Sequence, residues 1–203
     1  MRLALVGNGR VGKDYSRFID GCDLVIRCNE AKNLGENVGF KTDVLCITNT
    51  GAPARRLIDS RSVQRQPRFP GIKEVWFPRD SGVHLGWLER LNLRYPRSEF
   101  VDIGDRIIQA NDLEDVRVRR FSRDLNRVCF GSLARASRKP FVCPSTGFMA
   151  FVYVTRSGNF DGFEKFLFGF TFEMWDGHPA DSERLLVHEA IASRGDIKLV
   201  NQY

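Results

Sequence analysis

Three short stretches of the chain carry residue types whose spacing suits chemistry. The first is Gly7-Asn8-Gly9-Arg10-Val11-Gly12-Lys13-Asp14, directly after the apolar run Leu3 to Val6. Glycines between a strand and a helix let the backbone turn tightly and bring amide N–H groups against a phosphate at the positive end of the helix. The spacing fits GxGxxG, and Glu30 stands near the point where a dinucleotide-binding fold places its ribose-binding acid. An NAD(P)-binding oxidoreductase using Gly7, Gly9 and Gly12 is therefore one reading. The residues also satisfy GxxxxGK, but Asp14 occupies the Ser/Thr position, where a hydroxyl should bind magnesium and where a carboxylate would oppose the phosphates. A ligand-free strand-to-helix turn is the plainest alternative.

The second stretch is Pro144-Ser145-Thr146-Gly147, ahead of the apolar segment Phe148 to Val154. Its hydroxyls are suited to cap a helix, and the freed first-turn N–H groups to meet a nucleotide. The third is His178-Pro179, followed by Glu183. Pro is favoured in the first turn of a helix, and a histidine at that end feels the positive macrodipole, which disfavours imidazolium and leaves a neutral base near physiological pH. His178 is the candidate general base. His188, inside the following helix, and His84 rank lower, and no His/Asp/Glu spacing makes a metal site.

These residues need a scaffold, and the scaffold is legible as short apolar runs bounded by turn residues: Leu3 to Val6, Leu24 to Ile26, Val44 to Ile47, Val75 to Phe77, Phe100 to Ile103, Phe166 to Phe170 and Ile197 to Val200. Runs of this length without clean alternation suit strands buried on both faces. Helix-length segments lie between several of them: Val11 to Ile19, Pro53 to Gln64, Gly82 to Tyr95, Thr146 to Arg156 and Asp181 to Ser193. Alternation of strand and helix implies crossover connections, and so an α/β fold: a Rossmann-like three-layer sandwich with a largely parallel sheet, 1–203 forming a single domain.

The 203 residues carry 31 Lys plus Arg against 25 Asp plus Glu, a net charge of +6. Most of the excess follows an acidic cluster (Asp102, Asp105, Asp112, Glu114, Asp115) as Arg117, Arg119, Arg120, Arg123, Arg127, Arg135, Arg138 and Lys139. Residues 104–140 are expected as a mobile basic loop. With Phe121 and Phe130 inside it, this stretch also supports a nucleic-acid-binding alternative, whose affinity would fall steeply with salt. No apolar run approaches the roughly 20 residues that span a bilayer. The five cysteines, Cys22, Cys28, Cys46, Cys129 and Cys143, are dispersed and lack CxxC pairing, so they read as core residues of a soluble, cytoplasmic protein.

Extending the glycine window brings in a more specific pattern. Leu5-Val6-Gly7-Asn8-Gly9, then Asp23-Leu24-Val25-Ile26-Arg27-Cys28-Asn29, then Val38-Gly39-Phe40-Lys41-Thr42-Asp43, resemble the large sialylmotif of the animal-type sialyltransferases (glycosyltransferase family 29). Pro144-Ser145-Thr146-Gly147 and Phe168-Gly169-Phe170 are similar to the two ends of the small sialylmotif. His178-Pro179-Ala180-Asp181-Ser182-Glu183 resembles the very short one, H-x-x-x-x-E. Residues 51–140 carry no counterpart of these motifs.

The resemblance implies a compact bacterial-type relative with a metal-independent, GT-A-like variant of the Rossmann-like fold. It implies a sialyltransferase-like enzyme of glycan biosynthesis that uses a CMP-activated acidic sugar as donor substrate, needs no cofactor, and transfers the sugar with inversion to a hydroxyl of a glycan or glycolipid acceptor. Carried over by position, Gly7, Asn8, Gly9, Asn29, Ser145, Thr146 and Gly147 would bind the donor. His178 would deprotonate the acceptor and Glu183 would support the local structure. On this reading no nucleic acid is a partner, and the basic charge leaves room for peripheral membrane association. Two departures stand out. Leu3 occupies the place of the family's first bridging cysteine, and 171–175 contains no histidine where a short third motif usually supplies one to the donor phosphate.

Overall fold

The computed structural model describes residues 1–200; the last three residues of the expected domain 1–203 lie outside the described residues. In chain order the elements are β1 (Arg2–Val6), α1 (Ser16–Asp20), β2 (Leu24–Cys28), β3 (Val44–Cys46), α2 (Gly51–Ser60), β4 (Glu74–Phe77), α3 (Ser81–Arg90), a 3-10 turn (Arg97–Phe100), α4 (Gly104–Ala110), β5 (Arg117–Arg120), α5 (Arg123–Ala136), α6 (Thr146–Arg156), β6 (Glu164–Phe168), α7 (Ala180–Ser193) and β7 (Ile197–Val200). The strands form one sheet in the order β5-β4-β3-β2-β1-β6-β7, every pair parallel. The α/β three-layer expectation, Rossmann-like with a parallel sheet, is what the structure shows.

The side-chain period of two sorts the strand residues between the helical layers. Leu3, Leu5, Ile26, Cys28, Val44, Cys46, Trp76 and Leu167 join the core under α3, α5, α6 and α7. Ala4, Val6, Val25, Phe166 and Phe168 pack with Ile19 of α1, and Leu45, Ile47, Val75 and Phe77 with Ala54, Leu57, Ile107 and Ile108 of α2 and α4. Both faces are covered, so the strands read as apolar runs.

Three expectations needed revision. The Phe100 to Ile103 run is no strand: Phe100 ends the 3-10 turn and packs edge-on to His84, ring centroids 4.4 Å apart. The helix expected over Val11 to Ile19 is reduced to α1, because Asn37 Nδ2 donates to Val11 O and Tyr15 N donates to Asn37 O, which ties the segment to a neighbouring loop. The loop expected over 104–140 is instead α4, β5 and α5. Its arginines form a charged edge strand beside β4, where Arg119 pairs with Glu74 (2.8 Å) and Arg120 with Asp105 (2.7 Å) and Asp102 (3.5 Å). Helix α5 begins at the Ser122 cap and buries Asn126, Cys129, Phe130 and Leu133, an i, i+3, i+4, i+7 stripe that the charges mask in the sequence.

Strands β2 to β5 are laid down successively on one side of β1, and the chain then crosses back through α6 to place β6 on its other side. The crossovers leave β1 and β6 in opposite directions, opening a crevice at their carboxyl ends. There the backbones come unusually close. Gly7 N donates to Phe168 O (2.8 Å) and Gly9 N to Gly169 O (3.0 Å). A Cβ on Gly7 would stand 2.7 Å from Gly169 O, and Gly169 itself has a φ of +66°. Replacing Gly7 with Ala is expected to cost about 1–3 kcal/mol by overpacking against backbone that cannot yield; urea denaturation of the unliganded protein checks this, and an unchanged midpoint would count against the close packing.

Candidate active site

A cavity of about 550 Å³ opens at this crevice. Gly7, Asn8, Gly9, Asn29, Ser145, Thr146, Gly147, His178 and Glu183 all line it, drawn from the ends of β1 and β2, the start of α6 and the entry to α7. Thr48, Arg79 and residues 169–175 complete much of the wall.

The glycine loop contributes shape rather than phosphate donors. The N–H groups of Gly7 and Gly9 are spent on the carbonyls of Phe168, which ends β6, and Gly169, which follows it, and the next helix starts only at Ser16, four residues past Gly12. A dinucleotide fingerprint requires that turn to open a helix against the pyrophosphate, so the oxidoreductase reading loses its physical basis. Asn8 bridges two strand ends, with Nδ2 donating to Cys28 O (3.2 Å) and Oδ1 accepting from Lys32 N (2.9 Å). Asn29 sits at φ 50°, a left-handed backbone that Asn tolerates better than most residues. Its Oδ1 accepts from Thr48 N (3.0 Å), leaving Nδ2 without a partner among the described residues. Other residues of the same motif act away from the cavity. Buried Arg27 donates to the carbonyls of Val38, Gly39 and Lys41, and Asp43 Oδ2 accepts from Val25 N (2.9 Å).

Opposite the glycines runs a buried strap, residues 141–145, with no regular secondary structure. Four consecutive carbonyls on it each receive a side-chain N–H. Trp87 Nε1 donates to Phe141 O (2.9 Å), His84 Nε2 to Val142 O (3.0 Å), His178 Nδ1 to Cys143 O (2.8 Å) and Arg79 Nη2 to Pro144 O (3.5 Å). A carbonyl only accepts, so each histidine must carry its proton on the nitrogen facing the strap. His178 is therefore the Nδ1–H tautomer, with the lone pair on Nε2. Burial, reinforced by the positive charge of Arg79, pushes the imidazole down to about 4, which keeps it neutral at physiological pH. These causes differ from the helix macrodipole expected from sequence. His84, which the sequence ranked low, is 1% exposed, and burial pushes it down to about 3.

The other end of the strap rests on Glu183, 1% exposed. Its Oε1 accepts from Ser145 N and its Oε2 from Ser145 Oγ, both at 2.6 Å, while Ser145 Oγ also accepts from Phe148 N (3.1 Å) as the cap of α6. Burial raises this carboxyl to about 7 despite those bonds. Thus α7 holds both His178 and the turn that starts α6. Sequence reasoning missed Arg79: it follows β4, and the rule that loops at the carboxyl ends of parallel strands build the site was the available signal. The basic stretch 117–139 contributes no residue to this cavity.

The buried groups make stability pH-dependent with opposite signs. Between pH 4.5 and 6.5 the unfolded chain protonates His84 and His178 while the folded state does not, so each makes stability rise with pH. Glu183 is protonated in the folded state and ionised in the unfolded one, so it makes stability fall with pH over the same window. Glu183→Gln removes the opposing contribution. Its unfolding free energy is expected to climb more steeply than wild type by about 1.4 kcal/mol per pH unit in that window; parallel slopes in denaturant titrations would refute the assignment.

Comparison with known proteins bears on the chain as a whole. The urease operon 23 kDa accessory protein of Rhizobium meliloti (strain 1021) is 26% identical over 203 residues, covering 99% of this chain and 93% of its own length. The family model for glycosyltransferase family 29 (sialyltransferase) matches residues 1–158, including the 51–140 region that the short motifs leave uncovered, and ends before His178 and Glu183. A match over that much of the chain, on a parallel α/β sheet whose crevice gathers the motif residues, makes this chain a member of glycosyltransferase family 29, the sialyltransferase family.

Proposed function

We propose that the chain transfers a sialic acid or similar acidic sugar from a CMP-sugar to a hydroxyl of a glycan or glycolipid acceptor, without a metal and with inversion, His178 acting as general base. The observation that carries this is the orientation of His178: with Nδ1–H held on Cys143 O, the Nε2 lone pair is the ring's only basic site. As the acceptor oxygen bonds to the anomeric carbon, its proton passes to Nε2. The bond from that carbon to the donor phosphate breaks, and CMP leaves with the electron pair. One displacement from the opposite face inverts the anomeric centre.

The first turn of α6 supports a donor phosphate at Ser145, Thr146 and Gly147, and Asn29 Nδ2 offers a neutral donor for the nucleotide. Trp175 supports acceptor binding at the rim: it is 57% exposed, and its ring stands perpendicular to that of His178 with centroids 5.4 Å apart. Five free thiols suit a reducing, cytoplasmic compartment, and among the described residues no helix is long and apolar enough to cross a membrane. The name of the R. meliloti relative describes an operon and an accessory role; the chemistry proposed here rests on the cavity's own residues.

CMP or CDP is expected to raise the melting temperature, and NAD(H) and NADP(H) to leave it unchanged; the reverse pattern would return the glycine loop to an oxidoreductase. In a screen of CMP-sugars followed by CMP release, His178→Ala is expected to abolish transfer while CMP binding stays within a few-fold of wild type. An active His178→Ala enzyme rules this histidine out as the base. Trp175→Ala is expected to raise the acceptor KM several-fold with little change in the donor KM, measured by steady-state kinetics at saturating co-substrate.

A further inference from the structure

The cavity contains a cation with no counter-ion. Arg79 is set rigidly at the carboxyl end of β4 by fully buried Asn49, whose Oδ1 accepts from Arg79 N (3.1 Å) and whose Nδ2 donates to Arg79 O (3.0 Å). Its guanidinium reaches over the strap. Nη1 donates to Cys143 Sγ (3.1 Å), Nη2 makes only the 3.5 Å contact with Pro144 O, and Nε is buried with no partner. No carboxylate of the described residues lies within ion-pair distance. Glu183, the nearest candidate on the site's own elements, spends both oxygens on Ser145.

The fold can satisfy a buried guanidinium when it needs to. Arg27, 1% exposed, has the carbonyls of Val38, Gly39 and Lys41 and the Thr42 hydroxyl as acceptors. Arg79 has a thiol and one long carbonyl contact. Arg79 is half-buried at the cavity wall, with its Nε shut off from water and without an acceptor, an unmet donor that costs free energy, and a fixed fork of donors is the geometry that phosphate oxygens fill.

Its position names the ligand. The residues that the guanidinium touches, Cys143 and Pro144, immediately precede the Ser145 cap of α6, an eleven-residue helix. The first-turn N–H groups of Thr146 and Gly147 have no acceptor among the described residues. Side-chain fork and helix start therefore converge on one end of the cavity.

We propose that Arg79 and the amino-terminal turn of α6 form an anion subsite that takes the phosphate of a nucleotide, Arg79 supplying the charge that the histidine-free segment 171–175 lacks. The subsite rests on the CMP-sugar reading for the identity of its nucleotide, though not for its affinity for phosphate. Arg79 is a binding residue here, and the ligand is the counter-ion that the free protein lacks.

Titration calorimetry with CMP, UMP, cytidine, inorganic phosphate and free sialic acid tests it on wild type, Arg79→Gln and Arg79→Lys. Wild type is expected to bind CMP at least tenfold more tightly than cytidine. Arg79→Gln should lose that advantage with cytidine affinity unchanged, and Arg79→Lys should keep part of it as a point charge without the fork. Free Arg79→Gln protein should melt close to wild type, since losing the thiol and long Pro144 contacts is offset by removing the unpartnered Nε–H. Undiminished CMP affinity in Arg79→Gln overturns the subsite. So does an equal loss for cytidine together with a lowered melting temperature, which would make the residue structural. Arg79-dependent binding of free sialic acid but not of CMP would overturn the phosphate assignment in favour of the sugar carboxylate. Equal, Arg79-dependent binding of CMP and UMP would leave the subsite standing and remove the CMP reading, whereas a cytidine preference independent of Arg79 would do the opposite.

Discussion

The buried strap at 141–145 is the constraint on which the site depends. A segment without ladder or helix has no regular partners for its backbone, and buried carbonyls left bare would each cost free energy on the order of 1–3 kcal/mol. Here side chains supply the donors. Trp87 and His84, one helical turn apart on α3, take Phe141 and Val142; His178 takes Cys143; Arg79 leans on Pro144. The strap's own N–H groups at Val142 and Cys143 go to Gly177 O, and that of Ser145 goes to Glu183. Satisfying this one segment thus sets the tautomer of His178, the start of α6 and the spacing between them.

The second constraint is the approach of β1 to β6. Because Gly7, Gly9 and Gly169 carry no side chains there, the loop after β1 lies flat against the end of β6 and leaves the crevice open above it. Glycines that look like a phosphate cradle in one dimension serve as a backbone-to-backbone contact in three. The positive helix end that opens on the cavity is that of α6, about 140 residues further on in the chain, and not that of the loop's own helix.

Charge follows the same division. Arg119 and Arg120 are matched by Glu74, Asp102 and Asp105 at the sheet edge, and the arginines of α5 face outward, with Arg127 paired to Asp124. Most of the visible basicity is therefore a solvated or locally neutralised face. The cation that bears on the site's histidines is the guanidinium of Arg79, which has no ion-pair partner among the described residues and whose field adds to burial in lowering His178 and His84.

The sequence alone determined the layer architecture, six of the seven strand positions and nine of the residues that line the cavity, because burial on both faces of a parallel sheet and the ordered motifs leave a linear trace. It also led correctly to glycosyltransferase family 29. It misread residues 100–140, where one apolar run is buried without pairing, an edge strand is written in arginine, and the stripe of α5 is interrupted by charge. It passed over Arg79 and His84, whose neighbours are ordinary loop and helix residues. Only the tertiary structure decided their roles, because the carbonyls that they approach are about 60 residues away in the chain, and the need of a buried backbone for donors is a property of where the chain folds rather than of what it spells.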